Sequence, residues 1–303
     1  MKKQEIYRRA ANGEGQIVSY RWQTHNPSAR VQILHDMGDH AGRYEALAEE
    51  LTTAGYEVVA NDLAGHGMSK QGHRGAFADR DESLQFVLED IDSLYAYAEE
   101  RYGELPRVLI GAGLGELLAE VYAMKYRDVA ILVLIGPIAK PTGVPAIRVS
   151  MAQFIRRHGH SAVSPSVHNM MFQTGRKAGT EGDGNYYWLS TIQEEIRKYL
   201  QDEDCGFMLS ASSYREMLRA FKEVRNKEGA AQIPDIPIYV LAGAQDQLGQ
   251  CGRMVTDLCT LLGETGHGQV AMHLYKDAYH DLLHDVCAEE VISDIVSMLE
   301  RKL

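Results

Sequence analysis

The chain has 303 residues, of which 45% are hydrophobic and 24% are charged. This composition is typical of a globular protein and excludes a disordered, collagen-like or coiled-coil chain. The formal net charge of −11 argues against broad binding to nucleic-acid phosphates or to anionic membranes.

The first 136 residues alternate between strand-like and helix-like patterns. Apolar runs predict strands at 16–24, 30–34, 56–61, 108–110 and 129–135, and apolar stripes at helical spacing predict helices at 44–54, 84–98 and 114–126. Continuous apolar strands that alternate with helices indicate a mostly parallel central sheet with helices on both faces. The expected fold class is therefore α/β.

The alternation stops after residue 137 and resumes at 234. Residues 138–233 read as helices and loops, with a polar glycine-rich stretch at 175–185, whereas the strand pattern returns at 238–241 and 269–275. We expect a core of residues 1–137 and 234–303 with a helical insertion between them. Ligands bind at the carboxyl edge of open α/β sheets, so this insertion is placed to form a lid over a site there. The alternative is an insertion without a role in binding.

A glycine cluster marks the turn between a predicted strand and helix. The sequence Ile110-Gly111-Ala112-Gly113-Leu114-Gly115-Glu116 permits a very sharp turn. One use of such a turn is the nucleophile elbow G-x-S-x-G. The dinucleotide fingerprint G-x-G-x-x-G fits less well, since glutamate stands at 116 and the turn comes late in the chain.

Several ordered motifs carry a resemblance to a known family. Residues 35–44 resemble a segment H-G-x-G-E-H-S-x-R-Y, residues 61–69 resemble D-x-R-G-H-G-x-S, and the elbow resembles G-H-S-M-G-G. Residues 188–190 and 199–207 resemble the lid of bacterial members. Over residues 15–300 the sequence resembles the α/β-hydrolase fold, in the branch of monoacylglycerol lipases, lysophospholipases and serine aminopeptidases.

The resemblance implies a Ser–Asp–His triad in that chain order. It places the acid at Asp246 and the histidine at His280, each just after a predicted strand. It places the oxyanion hole at the backbone N–H groups of Met37 and Leu114. The nucleophile falls at position 113, which is glycine and offers no hydroxyl for His280 to deprotonate.

A second departure concerns Asp36, which stands where the family has glycine, immediately before Met37. A carboxylate near the oxyanion hole would oppose the negative charge that develops in the transition state, whereas one directed to solvent would matter little. Loss of one oxyanion donor already costs about 2.7–4 kcal/mol. The sequence does not distinguish the two orientations.

Two other groups of residues have the composition of a site. His280 and His284 are four residues apart, like a zinc-binding H-E-x-x-H pair, but no third ligand is evident, so neither a metal nor a cofactor is expected. Tyr186, Tyr187 and Trp188 could line a substrate entrance or belong to the core of the lid.

Three functions remain open at this stage. The first is a non-catalytic or weakly active relative of the lipases that binds an acyl ester, a lipid or another small molecule under the lid. The second is an active hydrolase in which the His280–Asp246 pair activates water. The third is a structural or protein-interaction role with a relic pocket. Four cysteines without a C-x-x-C pair, no apolar N-terminal segment and no apolar run of ~18 residues predict a cytoplasmic protein without a membrane span.

Overall fold

One sheet organises the chain. The computed structural model describes residues 2–70, 73–172 and 186–303. In these residues eight strands pair in the order β1-β2-β4-β3-β5-β6-β7-β8. The strands are β1 (Lys2–Arg9), β2 (Gln16–Gln23), β3 (Arg30–Leu34), β4 (Glu57–Asn61), β5 (Arg107–Ala112), β6 (Ile131–Ile135), β7 (Ile238–Gly243) and β8 (Val270–Tyr275). From β4 to β8 in this order all neighbours are parallel, which confirms the predicted mostly parallel sheet.

Strand β1 was not predicted from the sequence. It reads KKQEIYRR, pairs antiparallel with β2 at the edge of the sheet, and buries Ile6 while Tyr7 is exposed. A strand with one buried apolar residue gives no alternating signal, because it is held by main-chain pairing with β2 rather than by its own side chains.

Helices cover both faces of the sheet. They are α1 (Glu45–Thr53), α2 (Ser83–Tyr102), α3 (Leu114–Tyr126), α4 (Val144–His158), α5 (Pro165–Met171), α6 (Gln193–Gln201), α7 (Ala211–Val224), α8 (Lys227–Ala230), α9 (Arg253–Glu264) and α10 (Ala288–Glu300). The core beside α1 and α10 includes Val108 and Ile110, and the core beside α2, α3 and α9 includes Leu109. Alternate residues of β5 thus enter opposite cores, which explains its continuous apolar sequence.

The segment between β6 and β7 contains α4 to α8. Helix α4 packs on α7, and α7 packs in turn on α2 and α3, so this segment is tied to the core. The glycine-rich stretch at 175–185 lies outside the described residues. Within the described part of the chain, none of the helices combines the length and the apolar character that crossing a bilayer requires.

Candidate active site

The turn from β5 to α3 has the backbone of a nucleophile elbow. Gly113 lies at φ 52° and ψ −108°, a conformation that residues with a Cβ rarely adopt. A Cβ on Gly111 would overlap the carbonyl oxygen of Gly115, and a Cβ on Gly115 would overlap that of Leu34 in β3. The flanking glycines therefore let α3 start directly against the sheet, with residue 113 at its carboxyl edge.

Asp246 and His280 meet beside this turn. Asp246 follows β7 and is fully buried, and its Oδ1 accepts a hydrogen bond from the backbone N–H of Leu248 at 2.8 Å. Its Oδ2 lies 2.9 Å from Nδ1 of His280, a residue in the loop after β8. The His280 side chain is 3% exposed. The two predicted residues thus adopt the hydrogen-bonded geometry that an acid–histidine pair of a triad requires.

The carboxylate of Asp36 is hydrogen-bonded within the site. Its Oδ1 accepts hydrogen bonds from the backbone N–H groups of Met37 and Leu114, each at 2.6 Å. These are the two donors that the resemblance assigns to the oxyanion hole. Its Oδ2 lies 3.1 Å from Nε2 of His280. Of the two orientations that the sequence left open, Asp36 therefore adopts the one directed at the N–H groups assigned to the oxyanion hole, rather than the one directed to solvent.

Gly113 and Asp36 are sterically coupled. A Cβ built on Gly113 would overlap both Cγ and Oδ1 of Asp36. The Asp36 carboxylate thus takes up the space that a serine side chain at 113 would need. Aspartate at position 36 and glycine at position 113 are each incompatible with an ordinary serine triad. Together they give a filled, hydrogen-bonded site.

The environment of His280 favours its charged form. Burial by itself would lower the pKa of His280, but the carboxylates of Asp246 and then Asp36 outweigh burial and raise the pKa well above 6.5. With Nδ1 directed at Asp246 and Nε2 at Asp36, both carboxylates favour the imidazolium form, in which the ring donates two hydrogen bonds. In this state it has no lone pair with which to deprotonate water.

The insertion is hydrogen-bonded to the backbone of both loops of the site. The N–H groups of His280 and Asp281 donate to the carbonyl oxygens of Trp188 and Leu189, at 3.3 and 2.9 Å. On the other side, the Tyr199 hydroxyl donates to the carbonyl oxygen of Gly38 at 2.7 Å. Residues 188–199 therefore connect the histidine loop to the loop that carries Asp36.

Two cavities are lined by residues of these loops and share part of their lining. A cavity of about 20 Å³, large enough for one water molecule, is lined by Asp36, Gly113 and His280 among others. A second cavity of about 230 Å³ is lined by Met37, His168, Asn169, Phe172, Tyr186, Trp188, Tyr199, Phe207, Met208, Tyr214 and Leu248. Met37 and Tyr199 border both cavities.

Two of the three aromatic residues for which the sequence left two roles open, Tyr186 and Trp188, contact both a cavity and the core of the insertion. Tyr186 and Trp188 line the larger cavity and also pack on Leu189 and Tyr199 of the insertion. The Trp188 ring lies 5.4 Å from the His280 ring, centroid to centroid. Sequence reasoning did not identify Met208, His168 or Tyr214 as lining residues, because no local motif marks them.

Two further residues of the family motifs, His35 and Asp62, have structural roles. Leu63 donates its N–H to Nε2 of His35, and burial lowers the pKa of His35 to about 3. Asp62 accepts from the N–H groups of Ala41 and Met68, both at 2.9 Å. These contacts fix the loops that follow β3 and β4, and so position Asp36.

The histidine pair considered for a metal is otherwise engaged. His284 lies in a 3₁₀ turn, Leu282–His284, and its Nδ1 and Nε2 contact Asp281 and the carbonyl oxygen of Arg43. Elsewhere in the described chain, two clusters bring three potential ligand atoms within 4.8 Å, namely His40, Asp202 and Cys205, and His273, Glu290 and Asp294. Neither cluster includes the His280–Asp246 pair.

The charge on His280 predicts how stability depends on pH. A raised folded-state pKa gives a stabilising contribution that is complete below the unfolded pKa near 6.5 and is lost as pH rises through the folded pKa. Asp36→Asn removes one of the two carboxylates, so the folded pKa of His280 drops. Between pH 6.5 and 9 wild type should therefore lose more unfolding free energy than Asp36→Asn, by about 1.4 kcal/mol per pKa unit of difference.

Urea unfolding at several pH values, with the His280 ring nitrogens followed by NMR, tests this expectation. The ring of wild type should remain doubly protonated above pH 6.5, and the ring of Asp36→Asn should lose its proton at lower pH. Equal titration of His280 in the two proteins would show that Asp36 does not hold the proton.

Comparison with known proteins gives a consistent family. The sequence pattern of the family described as serine aminopeptidase, S33, matches residues 25–286. The human monoglyceride lipase is 33% identical over 277 residues, which cover 89% of this chain and 82% of that protein. The chain spans about a quarter of one longer relative, an abhydrolase domain-containing protein of Dictyostelium discoideum, with 25% identity over 91% of this chain and 27% of the relative.

Solved structures agree with the fold. A lipase in its open form superposes with a TM-score of 0.90 at 25% identity, covering 99% of each chain. A carboxyl esterase from Bacillus coagulans in complex with glycerol also gives 0.90, at 24% identity over 100% of this chain and 99% of that chain. With an elbow, an acid–histidine pair and a family match over most of its length, the chain belongs to the serine aminopeptidase S33 family of α/β-hydrolases.

Proposed function

We propose that this protein is a non-hydrolytic member of its family that binds a small lipid-like or acyl-ester ligand in the cavity under the insertion at 138–233. The observation that carries the proposal is the position of Asp36. Its carboxylate accepts from both oxyanion donors and contacts His280, while Gly113 supplies no nucleophile. An ester carbonyl has neither a hydroxyl to attack it nor a free hole to receive its oxygen.

The cavity supports ligand binding over a purely structural role. Its volume of about 230 Å³ exceeds an engineered apolar cavity of ~150 Å³ that binds benzene. Its walls are mostly aromatic and aliphatic, as in sites for small apolar molecules. A relic pocket in a protein without a ligand would be expected to fill with side chains, because empty apolar volume is destabilising.

Direct activation of water by His280 is less well supported. A general base needs an unprotonated nitrogen near the water, yet Nε2 of His280 is directed at Asp36 and the pKa of the ring is raised by both carboxylates.

The net charge of −11 fits a small-molecule partner rather than a nucleic acid. The four unpaired thiols fit a cytoplasmic protein.

A fluorophosphonate probe and a pair of esters with short and long acyl chains test the proposal. Wild type should remain unlabelled, and its ester turnover should equal that of His280→Ala. Stoichiometric labelling of wild type would show that another residue acts as nucleophile. Turnover that falls on His280→Ala would show instead that His280 activates water.

A further inference from the structure

The hydrogen-bonding capacity left at the site is specific. A carboxylate offers about four lone-pair positions. In Asp36, Oδ1 accepts from two backbone N–H groups and Oδ2 accepts from His280, which leaves one position, on Oδ2. The donors that bind an oxyanion in serine hydrolases are all taken. A ligand head placed here must therefore donate a hydrogen bond.

The charges around the site are negative in sum. Asp36 and Asp246 carry two negative charges against one positive charge on His280. In the smaller cavity Arg43 is paired with Asp39 at 3.2 Å and with Asp281 at 2.7 Å, and Asp281 also contacts His284. In the larger cavity burial lowers the pKa of His168, which favours its neutral form. Among the described lining residues, each cation is thus already paired with a carboxylate.

The cavity walls suit an alkyl chain that ends in a cation. Tyr186, Trp188 and Phe207 present aromatic rings to the larger cavity. Met37 and Tyr199 line both this cavity and the smaller one that Asp36 lines. Aromatic faces attract cations as well as alkyl groups. The Asp36 side chain is 13% exposed and lines the smaller cavity, which has room for one small head group.

We propose that the cavity selects amphiphiles with a cationic, hydrogen-bond-donating head, of the alkylammonium class, and excludes the carboxylates that ester hydrolysis releases. The proposal rests on the ligand-binding function proposed above. It assigns Asp36 as the residue that determines head-group specificity. The alkyl chain lies in the larger cavity and the ammonium group donates to Oδ2 of Asp36.

Matched eight-carbon ligands test the selectivity. Octylammonium, 1-octanol, octanoate and octyltrimethylammonium are titrated into the full chain at pH 7 by calorimetry, below the concentration at which any of them aggregates. Octylammonium should bind at least about tenfold more tightly than octanoate, with octanol between them. Octyltrimethylammonium, a cation without N–H donors, should bind more weakly than octylammonium.

A matched pair of variants assigns the selectivity to Asp36. Asp36→Asn keeps the size of the side chain and removes its charge, so the ratio of octylammonium to octanoate affinity should fall by about tenfold. Asp257→Asn, an equal loss of charge at an exposed position of α9, should leave the ratio unchanged. If the selectivity came only from the net charge of the protein, the affinity ratio would change equally in both variants.

The outcomes separate the two proposals. Equal or tighter binding of octanoate by wild type would overturn the selectivity and leave ligand binding standing. No binding of any of the four ligands would overturn both. A selectivity retained in Asp36→Asn would contradict the assignment to Asp36, and the ranking in wild type is decisive even if that variant does not fold.

Discussion

Changing Asp36 to glycine and Gly113 to serine together should raise ester turnover by at least about 10³-fold over wild type and should produce stoichiometric fluorophosphonate labelling. Glycine at 36 empties the oxyanion hole formed by the N–H groups of Met37 and Leu114. Serine at 113 then has room at the elbow. Removal of the Asp36 carboxylate also lowers the pKa of His280, which frees Nε2 to act as the base.

Neither single change should approach the gain in ester turnover and labelling that the double change produces. Gly113→Ser alone places its Cβ against the Asp36 carboxylate at a φ of 52°, so its melting temperature should fall. The backbone strain alone corresponds to about 1–3 kcal/mol. Asp36→Gly alone opens the hole but supplies no hydroxyl, and it should remain unlabelled.

Rates of acyl-ester hydrolysis, intact-protein mass after probe treatment and thermal unfolding measure these effects. The control is His280→Ala added to the double variant, which should abolish both labelling and turnover. A folded double variant that the probe does not label would contradict the coupling between positions 36 and 113. A rise in melting temperature on Gly113→Ser would show that the turn is not strained.

The fold could be predicted because its signals are local. The glycine cluster at 111–115 and the continuous apolar strands are each visible in a short stretch of sequence. A sheet that is buried on both faces requires such continuous apolar strands. Strand β1 was missed since its main-chain pairing with β2 leaves little trace in its side chains. The inner lining of the cavity, such as Tyr214 and Met208, depends on how the insertion packs, which no local pattern records.

The state of the site required coordinates for a different reason. That Gly113 lacks a hydroxyl and that Asp36 is unusual can both be read from the sequence. Their compensation cannot, because it depends on one side-chain orientation that puts the Asp36 carboxylate into the volume left by residue 113. The same orientation sets the charge of His280 and the head group that the cavity can accept.

Another departure at the elbow, Glu116, has its compensation in the insertion. Glu116, where the family has glycine, is fully buried, and Arg225 contacts both Glu116 and Glu120 at 2.6 Å. Arg225 follows α7, so this ion-pair cluster connects the elbow helix α3 to residues 138–233. Burial raises the pKa of Glu116 well above its usual value, and the Arg225 guanidinium opposes that rise.

Arg225→Met should therefore lower the free energy of unfolding by about 3–5 kcal/mol, because it leaves two buried carboxylates without their cation. The matched control is Arg219→Met in helix α7, which ends just before Arg225. The Arg219 side chain is 46% exposed, and its loss should change the free energy of unfolding by no more than about 0.5 kcal/mol. Urea unfolding at pH 7 measures both variants.

The pH dependence of Arg225→Met distinguishes lost charge pairing from lost packing. Without the guanidinium, the pKa of Glu116 in the folded state rises further above its unfolded value. A carboxyl group whose folded pKa is raised destabilises the protein as pH rises, since the unfolded chain releases the proton more readily. The deficit of Arg225→Met relative to wild type should thus be larger at pH 8 than at pH 5, whereas a packing defect would be the same at both. A deficit independent of pH would show that Arg225 contributes by packing alone. Replacement of Glu116, Glu120 and Arg225 together by apolar residues should recover most of the lost stability.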